Sequence, residues 1–148
     1  MYQRILIATD GSELAGKAVQ HGIELAKRLG VPVTVVTVTE AWSALDLARM
    51  ARQGNQDPIA QYEQMAAAAA TNILERAKEI AKSQGATCDV VHVQDQHPAD
   101  GIIATARDRG CDLIVMASHG RRGLDRLLMG SQANEVLTHS KVPTLIVR

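Results

Sequence analysis

Five short apolar runs, spaced so that a helix can lie between each pair, restrict the fold of this chain more than any other feature. Residues 4–8 read Arg-Ile-Leu-Ile-Ala and residues 33–38 read Val-Thr-Val-Val-Thr-Val, and residues 88–93, 113–116 and 144–147 supply three more. Runs without strict polar alternation suit strands buried on both faces, as in a parallel sheet between two helix layers. Residues 88–93 alternate enough to lie at the outside. Parallel neighbours need crossovers, and crossovers are right-handed. The pattern predicts one α/β domain over residues 1–148, a single doubly wound, five-stranded parallel sheet with helices on both faces. Reversal of direction after the third strand gives the order 3-2-1-4-5 and makes strands one and four neighbours. The crevice at their carboxyl ends is then the switch point where such sheets bind ligands, with Thr9 and Asp10 facing residues 116–131.

The segments between the runs carry helix punctuation. Ser12 caps a first helix in which Leu14, Ala15, Ala18, Val19, Ile23 and Ala26 share a face, and Gly30 stops it. Asp57-Pro58 is a cap followed by proline at the first helical position, and the helix it opens is expected to run to about Gln84. Ile59, Tyr62, Ala66, Ala69, Ile73, Leu74, Ala77 and Ile80 are expected on its inner face. Residues 39–57 contain Trp42, Leu45, Leu47 and Met50, too apolar for a free linker, and are expected to form a loop with one helical turn folded over the sheet edge or a ligand. His97-Pro98 opens a further helix with Ile102, Ile103 and Ala106 on one side, ended by Gly110. A last helix is expected from Ser131 to about His139.

Composition removes several function classes. Sixteen Lys+Arg balance sixteen Asp+Glu, so no net charge draws the chain to nucleic acid or an anionic membrane. With no Phe, one Trp and two Tyr, stacking platforms for single-stranded nucleic acid are not expected. No 18-residue apolar run is present to span a membrane, and the first strand begins too early to leave room for a signal peptide, so a cytoplasmic location is expected. Cys88 and Cys111 form no C-x-x-C pair and suit reduced thiols. The scattered His21, His92, His97 and His139 lack metal-ligand spacing, and no metal site made of protein alone is expected.

The chemistry concentrates in residues 116–131, Met-Ala-Ser-His-Gly-Arg-Arg-Gly-Leu-Asp-Arg-Leu-Leu-Met-Gly-Ser. An apolar strand delivers the chain into this stretch and a helix carries it away. Gly120 and Gly130 lack a Cβ, which permits close approach to a ligand and φ > 0, and the helix opening at Ser131 offers N–H donors and a favourable dipole to an anion. These are the parts of a phosphate cradle. The lysine-bearing P-loop spacing and Gly-x-Gly-x-x-Gly are both missing.

The stretch resembles the Gly-x2-Gly-x9-Gly-Ser/Thr signature of the universal stress protein family, here Ala117-x2-Gly120-x9-Gly130-Ser131, with Ala117 in place of the first glycine. The similarity extends to Ile5-Leu6-Ile7-Ala8-Thr9-Asp10-Gly11-Ser12, the His97-Pro98 turn, residues 111–116, and Val142-Pro143-Thr144-Leu145-Ile146-Val147. In the family's nucleotide-binding branch this signature wraps the ribose and phosphates of ATP. The resemblance implies that Asp10 and Val38 surround the adenosine, with Ala8 and Thr9 beside them. Met116, Ala117, His119 and Gly120 are implied to border the ribose and α-phosphate, and Gly130, Ser131, Gln132 and Ala133 to hold the phosphates. Ala133 stands where some family members place a hydroxyl. The resemblance also implies Mg2+, bound through phosphate oxygens and water, and a homodimer paired through the C-terminal strand.

Read from the residues alone, Asp10 suits either a ribose ligand or a helix cap near Ser12. His119 suits either a phosphate neighbour or a solvent-facing ring, and Arg121, Arg122 and Arg126 either screen phosphates or form a solvated face. No Ser-His-Asp or Cys-His arrangement and no nucleophile elbow is recognisable. Two function classes follow. One is an ATP-binding stress-response or signalling module with little or no catalytic turnover; the other is a dimeric interaction protein of the same family that binds no nucleotide.

Overall fold

A computed structural model describes residues 1–120 and 129–148 of the chain. Its elements are β1 (Ile5–Ala8), α1 (Glu13–Leu29), β2 (Val33–Val38), α2 (Ala44–Arg52), α3 (Pro58–Ser83), β3 (Asp89–Val93), α4 (Pro98–Asp108), β4 (Leu113–Ala117), α5 (Ser131–His139) and β5 (Thr144–Val147). The strands form one parallel sheet in the order β3-β2-β1-β4-β5, as the apolar rhythm predicts.

Alternation along each strand builds two cores, one on either side of the sheet. Ile5 and Ile7 of β1 join Val33, Val35, Leu113 and Val115 beneath α1 and α3. Leu6 and Ala8 join Val36, Ile114 and Met116 beneath α4 and α5. Ile5, Leu6 and Ile7 are each 0% exposed, and burial of such a side chain contributes about 1.5–3 kcal/mol. On α1 the interior Gly22 allows a close approach: a methyl group there would stand 2.6 Å from Ile7 Cδ1. Ser12 Oγ accepts from Ala15 N–H at 3.2 Å to cap α1, and Gly30 ends it in the left-handed region at φ 68°.

Two expectations are corrected. Residues 39–57 hold a nine-residue helix, α2, where a single turn was expected; Ser43 and Asp46 form a reciprocal capping box that nucleates it. None of its residues is fully buried. On α3 the buried residues are Ala70, Leu74, Ala77 and Ala81, while Ala69 and Ile59 are exposed and Tyr62 is half-buried. The reason is length. A 26-residue helix extends about 39 Å, far beyond strands of four to six residues, so its first turns run past the sheet. There they meet the chain leaving β2, and the Tyr62 hydroxyl donates to the Glu40 carbonyl at 3.0 Å.

Among the described residues no helix is long and apolar enough to cross a membrane. Cys111 is buried and Cys88 half-buried, both as free thiols; burial pushes both thiols up from their ordinary range.

Candidate functional site

The switch point forms where β1 and β4 lie side by side, with Ile5 opposite Leu113 and Ile7 opposite Val115. Helices leave these strands toward opposite faces of the sheet: α1 follows β1 on one side, and α5 follows β4 on the other. The crevice between the two departures collects Asp10, residues 118–120 and the first turn of α5.

Asp10 serves the local turn and faces the opposite loop. Its Oδ1 accepts from Ser12 N–H at 2.9 Å, so the carboxylate helps to start α1. A Cβ placed on Gly120 would stand 2.7 Å from Asp10 Oδ2, so a side chain there would require the carboxylate to turn away. Gly11, between the two oxygen-bearing residues, sits at φ 79° and makes the reversal possible. Its N–H donates to Thr9 Oγ1 at 3.2 Å. Thr9 is also part of the wall of a groove of about 730 Å³ between α1 and α3, together with Ser12, Lys17, Arg76 and Glu79.

Gly130 closes the other side. Its N–H donates to the Ser118 carbonyl at 2.7 Å, and a Cβ there would lie 2.9 Å from that oxygen and 3.2 Å from His119 Cα. The expectation of φ > 0 at this position is corrected: φ is −61° and ψ 153°, ordinary extended backbone, and Gly120 is likewise outside the positive-φ set. Glycine is required at 130 by proximity. Gly130 also offers α5 no side-chain cap, so the N–H groups of the first turn, at Ser131, Gln132 and Ala133, face outward from a helix end that favours an anion. Ser131 is exposed at that end.

The remaining positions divide between lining and support. Ala117 is 7% exposed, and its methyl packs with Ala15 and Ala18 of α1, so the alanine in place of glycine fills the α1 side of β4. Met116, Ala8 and Ala133 are buried in the core beneath α4 and α5, and Val38 packs at its margin. Val38 is pinned by Gly101, where an added Cβ would meet both its methyl groups at 2.9 Å. The Gln132 side chain is directed to α4, its Oε1 accepting from Ala99 N–H at 3.0 Å. His119 is half-buried, with Nδ1 2.9 Å from Ser118 Oγ. The basic trio Arg121, Arg122 and Arg126 lies outside the described residues.

From sequence His97 has a place only in a helix-opening turn, with no side-chain partner to be read. In the structure it is the N-cap residue of α4, with Nε2 2.8 Å from Glu135 Oε2 of α5 and Nδ1 3.6 Å from Glu40 Oε1 beyond β2. The hydrogen bond to Glu135, aided by the charges of Glu135, Asp100 and Glu40, raises its pKa above the ordinary histidine value. By contrast, burial lowers that of His92, whose Nε2 lies 2.7 Å from Thr39 Oγ1. A histidine directly before a helix-opening proline was the available signal, but its two partners are distant in sequence.

Comparison with known proteins agrees with this architecture. The family model described as "Universal stress protein family" matches residues 1–148. The chain is similar to the universal stress protein YxiE of Bacillus subtilis, 30% identical over 149 residues and covering 100% of both chains. Among solved structures it is similar to hypothetical protein MJ0577, with TM-score 0.79, 26% identity, and coverage of 99% of this chain and 96% of the other. It is also similar to a universal stress protein in complex with cAMP, with TM-score 0.74, 25% identity, and coverage of 99% and 97%.

Proposed function

Because the chain belongs to the universal stress protein family, we propose that it is an ATP-binding module of stress response or signalling, whose output is a ligand-dependent conformation with little or no catalytic turnover. The observation that carries this reading is Gly130. Its backbone lies so close to residues 118 and 119 that a Cβ has no room, and this contact brings an uncapped helix N-terminus to the sheet's switch point. Such an end binds phosphate through N–H groups and dipole together. A similar protein holding cAMP supports an adenine nucleotide as the ligand.

In this reading Val38 and Asp10 flank the adenosine beside Ala8 and Thr9. Met116, Ala117, His119 and Gly120 border the ribose and α-phosphate, and Gly130, Ser131, Gln132 and Ala133 hold the remaining phosphates. Ala117 and Ala133 act through their backbones, since their methyl groups belong to packed cores. Gln132 likewise contributes its N–H, because its side chain is engaged with α4. ATP would bring Mg2+ with it, a hard cation held by phosphate oxygens and water; among the described residues no cluster of three or more His, Cys, Asp or Glu stands ready to hold a metal ion. Backbone donors stabilise phosphate charge without activating a water molecule, which is why slow turnover is proposed.

The protein is proposed to work in the cytoplasm as a homodimer. Its edge strand β5 is half-buried along its whole length, and an apolar edge with no protecting lysine or bulge invites pairing with a second copy. That edge also favours the second reading, a dimeric interaction protein of the family without nucleotide. Mass spectrometry of nucleotide released by denaturing the purified protein separates the two, followed by calorimetric titration with ATP, ADP, AMP and cAMP in the presence of Mg2+. Released or titratable adenine nucleotide supports the first reading. No binding of any of the four leaves the second.

A further inference from the structure

His97 stands where three elements meet. As N-cap of α4 it makes no side-chain bond to its own helix, so the ring is directed to its neighbours. Nε2 lies 2.8 Å from Glu135 on α5, and Nδ1 is at ion-pair distance, 3.6 Å, from Glu40. Glu40 is two residues beyond Val38, and its backbone carbonyl accepts from the Tyr62 hydroxyl. The same turn of α4 holds α5 a second time, through Ala99 N–H and Gln132 Oε1 at 3.0 Å. Thus α4 grips both the helix that opens at Ser131 and the chain that leaves Val38.

We propose that His97 is a positioning residue for the crevice: its imidazolium bridges Glu135 and Glu40, holds α5 in register with the end of β2, and makes that registration dependent on pH. Chemistry sets the direction. Carboxylates only accept, and a neutral imidazole has a single N–H, so with one nitrogen donating to Glu135 the other would present a lone pair to Glu40. The cation alone suits both partners. Among the described residues the charged groups that face the ring are Glu135 from α5, Glu40 from the chain after β2, and Asp100 from α4 itself. All three are acidic, and with the Glu135 hydrogen bond they raise the ring's pKa. The clasp is therefore complete below about pH 6.5, the value for an unfolded histidine, and is lost as pH rises through the higher folded value. The three side chains are 40–46% exposed, which limits the effect to about two- to fivefold in an equilibrium constant, the scale of an exposed ion pair.

The ligand arm of the test rests on the nucleotide reading above; the structural arm does not. Hydrogen exchange by mass spectrometry on the full chain compares wild type with His97→Gln at about pH 5.5 and about pH 8.5, either side of the range where histidine changes charge. Comparison at each pH cancels intrinsic exchange rates. At the lower pH, peptides covering residues 39–43 and 131–139 should exchange about two- to fivefold faster in the variant; at the higher pH, where the neutral ring can still donate to Glu135 but not also to Glu40, the difference should vanish at 39–43 and shrink at 131–139. Glu135→Gln should reproduce the pattern, which guards against a fault peculiar to the His97 variant. Calorimetry with ATP and Mg2+ should show wild type binding about two- to fivefold tighter than His97→Gln only at the lower pH, and the titration of phosphate itself cancels in that ratio. Equal exchange at both pH values, or a difference that does not change with pH, overturns the clasp. Absence of ATP binding by wild type overturns the nucleotide reading instead, and exchange still decides the clasp.

Discussion

Replacing Gly130 with alanine tests the cradle with the smallest available perturbation. At φ −61° and ψ 153° an alanine backbone is unstrained, so the whole effect is steric. The new methyl would lie 2.9 Å from the Ser118 carbonyl oxygen and 3.2 Å from His119 Cα, about half an ångström inside comfortable separation. Both obstacles are backbone, so neither yields by rotating a side chain. Overpacking of this kind costs about 1–3 kcal/mol of stability. The relief is a withdrawal of the start of α5 by a similar distance, enough to stretch a 2.9 Å hydrogen bond beyond useful range. Loss of one charge-assisted bond to phosphate is worth about 1.5–3 kcal/mol, roughly a ten- to hundredfold loss of ATP affinity. Stability and binding are separated by Gly22→Ala, whose methyl would lie 2.6 Å from Ile7 Cδ1 in the core beneath α1. Urea denaturation should find both variants destabilised, while calorimetry with ATP and Mg2+ finds affinity lost only in Gly130→Ala. If Gly130→Ala binds as tightly as wild type, or Gly22→Ala loses as much affinity, the assignment of Gly130 to the phosphate cradle is wrong.

Ser131→Ala should weaken ATP binding by about tenfold, since it removes one hydroxyl but leaves the N–H groups and the dipole. Asp10→Ala should lose affinity and some stability, because Ser12 N–H also loses its acceptor; a circular dichroism spectrum unlike wild type would show that the residue is chiefly structural. Ala117→Gly should leave nucleotide affinity within about twofold while lowering the melting temperature, because the methyl packs on Ala15 and Ala18; a large gain in affinity would refute that placement. Thr144→Pro should convert the proposed dimer to monomer in analytical ultracentrifugation: Ile114 N–H bonds to the Pro143 carbonyl, so in parallel pairing the Thr144 N–H points away from β4 and is available to a second copy. In thermal melts, Asp112 should contribute to stability at neutral pH and lose that contribution in acid. Its carboxylate accepts from the N–H groups of Arg4 and Gln3, which holds its pKa below the ordinary range, so the contribution is present above the unfolded value and fades as pH falls through the folded one. Asp112→Asn should flatten that part of the profile.

The sheet was legible because its signal is redundant. Each of β1, β2 and β4 is apolar on both faces, and the capping residues Ser12 and Asp57 mark helix starts that the structure confirms through hydrogen bonds from Ala15 and Ala60. The inner face of α3 was harder to read. A run of five alanines, 66–70, carries no polarity to fix the rotation of the helix, and only Leu74 and Ala77 downstream reveal that Ala70 and not Ala69 faces the core. Residues 44–52 form a helix because of the reciprocal contact between Ser43 and Asp46, a signal visible in sequence as Ser-x-x-Asp but outweighed by the irregularity around it. The His97 contacts join residues separated by 38 positions or more, and nothing local announces them.

The glycine signature, by contrast, was legible as a pattern before its reason was. Its positions do different work, and alternation along β4 explains why. Met116 falls toward α4 and α5, Ala117 toward α1, and the chain turns only after Ser118. A side chain at 117 therefore enters a packed core, and alanine is accepted there without touching the crevice. At 120 and 130 the chain has left the sheet, and an added atom would collide with Asp10 in one case and with residues 118 and 119 in the other. The signature's fixed positions thus constrain distances between backbones more than conformations, which is why none of residues 117, 120, 130 and 131 has positive φ while Gly11, outside it, does. In the proposed reading, a cradle made in this way would hold phosphate by N–H geometry, and recognition of the adenosine that these nucleotides share would fall to the opposite wall, where Val38 and Asp10 stand.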